Sequence, residues 1–323
     1  MKQIFDHIYF VVNQAVRTSL VLFKITIPII ILTRILNEWG MIDYLGYTLA
    51  PIMGLVGLPG SMGLVWATAM MTNLYAGMIV FASLAPAETL SIAQVTVLCT
   101  MMLVAHALPV ELRIAQKAGT RFSVMILLRL SGALVLGMIL FHAYRATGYL
   151  QAPNTAIWQP AAQENGWLDW AIRETINLGY VFLIILTLIS IMHILELLKV
   201  TALLTTLLKP FLNLLGISRE AAPLTIIGMT MGIGYGGGLL IREVQQGHLG
   251  SRDLFFSFCL MGLCHSVIED TLLMMVLGGH LSGILLSRFV FAVIVTIILV
   301  RLIARVSPAF FHRFLFYPAK LPQ

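Results

Sequence analysis

Two short stretches place ionisable side chains in otherwise apolar sequence. His106-Ala-Leu-Pro-Val-Glu111 and His265-Ser-Val-Ile-Glu-Asp270 share a pattern, and the second lies 159 residues after the first. Imidazole beside a carboxylate can relay protons near neutral pH. It can also hold a divalent metal, or be locked in a buried ion pair. His265 and Glu269 are four residues apart, which predicts one shared helix face with Asp270 beside it. Pro109, between His106 and Glu111, predicts a kink or a helix end. The same step joins Arg129 to Arg288. Each arginine is a fixed cation suited to a carboxylate, on a solute or on Glu111, Glu269 or Asp270. Snorkelling of its head to the membrane surface is the competing reading. His106, Glu111, His265, Glu269, Asp270, Arg129 and Arg288 are therefore candidates for ion coupling or ion pairing. No resident metal, cofactor or catalytic residue is expected.

The second feature is a glycine tract, Met229-Thr-Met-Gly-Ile-Gly-Tyr-Gly-Gly-Gly238. Glycine in a helix costs about 1 kcal/mol, so the tract predicts a broken helix. Broken backbone at membrane depth is tolerated only where it is buried or lines a cavity. There it offers N–H and C=O groups to a solute, and half-helix ends add partial charge. The first half carries Met71-Thr-Asn-Leu-Tyr-Ala-Gly77, aligned on Tyr75 and Tyr235 with one residue of slippage. The candidate substrate-binding set is Thr72, Asn73, Tyr75, Gly77, Gly232, Gly234, Tyr235, Gly236 and Gly237. Close helix packing through small residues is the alternative. The tract is not read as a phosphate-binding loop, since no Lys-Ser/Thr pair follows.

These residues sit in a chain of 323 residues, 59% apolar and only 11% charged. A soluble domain carries about 25% charged residues, so lipid must solvate much of the surface. Cys99, Cys259 and Cys264 form no disulfide framework or metal spacing. No dense basic run interleaved with aromatics points to nucleic acid. No Ser/His pair in a GxS context and no HExxH points to an intramembrane enzyme.

Apolar segments cover 17–38, 45–58, 61–82, 91–109, 122–143, 172–198, 200–215, 221–242, 253–277 and 283–306. A spanning helix needs about 20 residues, so 45–58 and 200–215 are short. Each is read as one arm of a helical hairpin with its successor. The expected fold is all-α and polytopic: two repeats, each with about three spanning helices and a hairpin. An odd number of crossings makes the second repeat inverted. With a cytoplasmic N-terminus, the same side holds Lys2, Arg17, Arg113, Lys117, Arg121, Lys199, Lys209, Arg219, Arg242, Arg252, Arg301, Arg305, Arg313 and Lys320. Only Arg145 and Arg173 fall opposite, a positive-inside pattern. The units are an amphipathic lead-in helix at 1–16, repeats at 17–143 and 172–306, a linker at 144–171 and a cytoplasmic tail at 307–323.

The chain resembles the Gate, or nucleoside-recognition, domain family, which includes spore maturation A and B-type proteins and the membrane part of Feo-type iron transporters. The likeness rests on Pro51-Ile-Met-Gly-Leu-Val-Gly-Leu-Pro59 through Asn73–Gly77, and on Pro210-Phe-Leu-Asn-Leu-Leu-Gly-Ile-Ser218 through Gly232–Gly238. No GTPase domain lies in these residues, a departure from the Feo type. The resemblance implies a multi-pass carrier of a bacterial inner membrane, and the odd crossing count with the Lys/Arg bias puts both termini on the cytoplasmic side. The function expected is secondary transport of a small polar, anionic organic solute bound between the repeats. The alternatives are a divalent-metal permease using His106, His265, Glu269 and Cys264, or a non-transporting scaffold subunit. The partners expected are the bilayer and the solute, with a second copy of the chain admissible.

Overall fold

In the computed structural model, residues 2–154, 166–200, 220–245 and 249–317 are described, with 203, 206, 208, 212, 215, 217 and 218 between them. Most of the expected 200–215 hairpin arm, and part of the linker, lie outside the described residues.

Helix α1 (Lys2–Glu38) leads to α2 (Met41–Leu55), α3 (Met62–Met71), α4 (Leu74–Leu84), α5 (Ile92–Val104), α6 (Leu108–Lys117) and α7 (Phe122–Thr147). The second half gives α8 (Trp167–Leu197), α9 (Ala221–Met231), α10 (Ile233–Gln245), α11 (Ser251–Leu263) and α12 (Glu269–Val276). A π-helical stretch, Ser282–Ser287, then runs into α13 (Arg288–Ala304), and α14 (Pro308–Phe314) follows. No strand occurs among the described residues. Five described stretches are long and apolar enough to cross a membrane: Phe5–Glu38, Ile92–Lys117, Phe122–Thr147, Trp167–Leu197 and Ser282–Ala304. The fold is all-α and polytopic, as the composition requires.

Burial separates inner from outer helices. The most apolar window of Ile92–Lys117 is 78% buried, against 17% for those of α1 and α8. Helices α5 and α11 are apolar on every side and buried from Val95 to Val104 and from Leu254 to Leu263, as a bundle-core helix must be. Helices α1 and α8 pack on each other and leave Leu20, Val21, Leu32, Ile176 and Leu183 exposed. Exposed apolar surface of this extent belongs in contact with lipid.

The step of 159 residues recurs in the backbone. Helix α5 shifted by it becomes α11, residue for residue. Left-handed residues pair the same way: Gly40 (φ 66°) with Lys199 (φ 56°), Ala107 (φ 46°) with Ser266 (φ 47°), and Gly119 (φ 104°) with Gly278 (φ 96°).

Four expectations are corrected. No separate lead-in helix ends at residue 16; nothing there breaks the chain, and α1 is continuous through Pro28. The 61–82 segment is split at Thr72–Asn73 into α3 and α4. The 91–109 and 253–277 segments are also split, after Val104 and Leu263. The glycine tract breaks only at Gly232, and α10 runs helical through Gly234, Gly236, Gly237 and Gly238.

Candidate functional site

Each half contributes two interrupted helices whose breaks touch. The α3/α4 break is fixed by Asn73, whose Oδ1 accepts from Ala76 N at 2.9 Å and caps α4. Thr72 Oγ1 turns back to Thr68 O at 2.6 Å. The α5/α6 break lies against it, with Ala107 N donating to Ala69 O at 2.9 Å. In the second half Gly232 (φ 93°) ends α9, and Val267 N donates to Met229 O at 2.9 Å.

A broken helix leaves carbonyl groups unpaired at its C-terminal end, where the dipole is negative. The two arginines fill that need. Arg129 Nε donates to Val104 O at 2.9 Å, and Arg288 Nε donates to Leu263 O at 3.2 Å. Arg288 Nη2 also donates to His265 O at 2.6 Å. Both side chains are buried, at 1% exposure, so neither snorkels. Arg129 Nη1 also pairs with Glu111 Oε2.

The histidines sit in the breaks. Nδ1 of His106 lies 3.0 Å from Met102 O, and Nδ1 of His265 lies 2.7 Å from Met261 O. A carbonyl only accepts, so each Nδ1 carries the ring proton and donates it. The Nε2 atoms then face each other at 3.3 Å. Glu111 Oε1 lies 3.4 Å from His106 Nε2 and 3.2 Å from His265 Nε2. Asp270 Oδ2 lies 3.8 Å from His106 Nε2 and is buried with no hydrogen-bond partner.

The expected His265–Glu269 helix face does not form, because the chain is non-helical from Cys264 to Ile268. Glu269 turns away from the histidines, and Tyr75 Oη donates to its Oε1 at 3.5 Å. Glu269 and Tyr75 border a cavity of about 410 Å³ between α1, α8 and the breaks. Its other polar walls are Gln14, Thr18, His193 and Glu196. The pair His193 and Glu196 carried a legible signal, two ionisable groups three residues apart in an apolar helix. Gln14 and Thr18 carried none.

The remaining candidates serve packing. A Cβ on Gly77 would meet Ala69 and Met102 at 2.8 Å, and one on Gly236 would fall on the Gly228 backbone. These pairs are the crossing points of α3 with α4 and of α9 with α10. Gly77 thus corresponds to Gly236 at the step of 159, with no residue of slippage. Gly237 faces Ile114 and Phe258 rather than Asn73–Gly77. The side-chain surroundings of Gly234 and Tyr235 lie outside the described residues.

Interrupted apolar helices around buried charges, with a lipid-facing exterior, define a multi-pass membrane protein. The chain is similar to an uncharacterized membrane protein, YvoD, of Bacillus subtilis (strain 168). They are 29% identical over 290 residues, covering 87% of this chain and 89% of that protein. No protein-family model matches the chain, and no solved structure matches it.

Proposed function

We propose that this chain is a secondary transporter of a small polar organic solute, working in a bacterial inner membrane with two inverted repeats and both termini cytoplasmic. The observation that carries the reading is the cavity beside the helix breaks, with Glu269 and Tyr75 at its inner wall. Its volume falls in the range of small-molecule sites, about 300–1,000 Å³. Ionisable groups at membrane depth usually mark a solute or ion path, and interrupted helices mark transporter binding sites. The Gate-like resemblance supports the same class.

The charge preference differs from the anionic solute expected from the arginines. Arg129 and Arg288 are spent on helix ends and do not border the cavity, whereas Glu196 and Glu269 do. A neutral or cationic solute, such as an amine, suits those walls. The orientation rests on the Lys and Arg bias of the sequence.

A thermal-stability screen of the detergent-purified protein identifies the solute, because a ligand that binds only the folded state raises the melting temperature. Proteoliposome uptake then tests transport. Saturable uptake of an amine or polar neutral solute is expected. Binding without uptake would favour a scaffold or receptor. Cysteine labelling tests the topology: Asn154 and Lys117 should react from opposite sides.

A further inference from the structure

We infer that His106, His265 and Asp270, with Glu111, form a binding site for one borderline-soft divalent cation, such as zinc, that ties the two halves together. The donor atoms of His106, His265 and Asp270 all lie within 4.8 Å of one another. Donors at the zinc–ligand distances of about 2.0–2.2 Å, placed tetrahedrally, are about 3.3–3.6 Å apart. The separations here are 3.3 Å between the Nε2 atoms, 3.4 and 3.2 Å from these to Glu111 Oε1, and 3.8 Å from His106 to Asp270 Oδ2. The three separations among His106, His265 and Glu111 match one face of such a tetrahedron, and Asp270 stands slightly farther off as its fourth corner.

Both imidazoles donate Nδ1–H to main-chain carbonyls, the outer-shell arrangement that fixes a metal-binding tautomer. In the neutral rings the Nε2 lone pairs then converge with two carboxylates in a buried space. Four acceptors facing one another repel unless a cation or shared protons lie between them. Asp270 Oδ2, buried and unpartnered, is the group that a proton shared between the histidines and Glu111 leaves unsatisfied. A cation satisfies all four. Glu111 is held by Arg129 through its other oxygen, which orients Oε1 as a ligand. Two imidazoles and two carboxylates suit zinc or cobalt better than magnesium, which prefers oxygen donors and keeps its waters. Cys264 is not in the donor set, and Glu269 faces the cavity instead. The ligands come from both halves, two from each.

The test uses the full chain, purified in detergent and stripped with a chelator. Calorimetric titration with Zn²⁺ should give one equivalent per chain, and zinc but not magnesium should raise the melting temperature. Co²⁺ should give the intense visible bands of a four-coordinate site. His106→Gln and His265→Gln should each weaken zinc binding at least about tenfold. Asp270→Asn, nearly isosteric, should do the same and serves if a histidine variant fails to fold. No bound zinc would overturn the site in favour of shared protons. Unchanged zinc affinity in all three variants, or pale octahedral cobalt spectra, would also overturn it.

Discussion

His106 and His265 meet Nε2 to Nε2 at 3.3 Å, although 159 residues separate them. Each is aimed by the same local device. The helix before it stops two residues earlier, its Nδ1 returns to a carbonyl of that helix, and the next residue is left-handed. An arginine from a later helix binds the exposed end of the helix behind each ring. Removing that device in one half should misplace the ring of that half.

Arg129 should be the most costly charged residue to remove. It supplies a helix-end bond to Val104 O and the partner of Glu111. Breaking a buried pair from one side costs about 3–5 kcal/mol, because the other charge stays buried and unpaired. Arg129→Met should therefore lower the melting temperature sharply in detergent. Adding Glu111→Gln should recover much of the loss. Arg129→Lys should not rescue, since one ammonium cannot reproduce the planar fork. A double variant no more stable than Arg129→Met alone would show that the pair is not the source of the cost.

Ala107 is held at φ 46°, a region that costs an L-residue roughly 1–2 kcal/mol. Glycine escapes that cost, so Ala107→Gly should stabilise the protein by up to about 1 kcal/mol. Ala107→Val should destabilise it, because a β-branched residue fits that region worst. Chemical denaturation of both variants in detergent checks the sign. A stabilising valine would mean that the break is not left-handed in the protein.

Two glycines of one tract, Gly236 and Gly238, should behave oppositely. A methyl on Gly236 falls on the Gly228 backbone, and neither helix can yield without parting from the other. Gly236→Ala should cost about 1–3 kcal/mol, as overpacking does. Gly238 has nothing within 4 Å of its Cβ position. Gly238→Ala should be neutral or should stabilise by up to about 1 kcal/mol through helix propensity. Equal effects of the two changes on melting temperature would remove the packing account.

That contrast shows where the sequence was legible. The recurrence of His106, Glu111 and Arg129 as His265, Asp270 and Arg288 located six ionisable groups that the described residues bring together in the core, because few groups in so apolar a chain can be buried without partners. The interruptions were harder. Ala105-His106-Ala107 contains no glycine, and its break depends on tertiary bonds from Arg129 and to Ala69 O. Only Pro109 hinted at it. The glycine tract misled in the other direction, since a close helix crossing offsets the propensity cost and keeps α10 helical. The matching tyrosines, Tyr75 and Tyr235, then drew the alignment one residue off register. The cavity was not legible, because its walls come from α1, α8 and both breaks.

Glu269 is the residue through which the proposed solute site can be separated from the histidine cluster. Its carboxylate faces the cavity, where Tyr75 Oη donates to it, and it takes no part in the contacts of His106 or His265. A hydrogen bond to a charged group is worth about 1.5–3 kcal/mol, which is about 10- to 150-fold in affinity. Glu269→Gln should therefore raise the KM for a cationic solute by at least about tenfold in proteoliposomes. Zinc affinity and melting temperature should stay near the wild-type values. Tyr75→Phe should show a smaller change in the same direction, since it removes only the hydroxyl that orients the carboxylate. If Glu269→Gln leaves uptake untouched while Glu196→Gln abolishes it, the solute lies at the outer end of the cavity, against α8. If neither change alters uptake, the cavity is not the binding site.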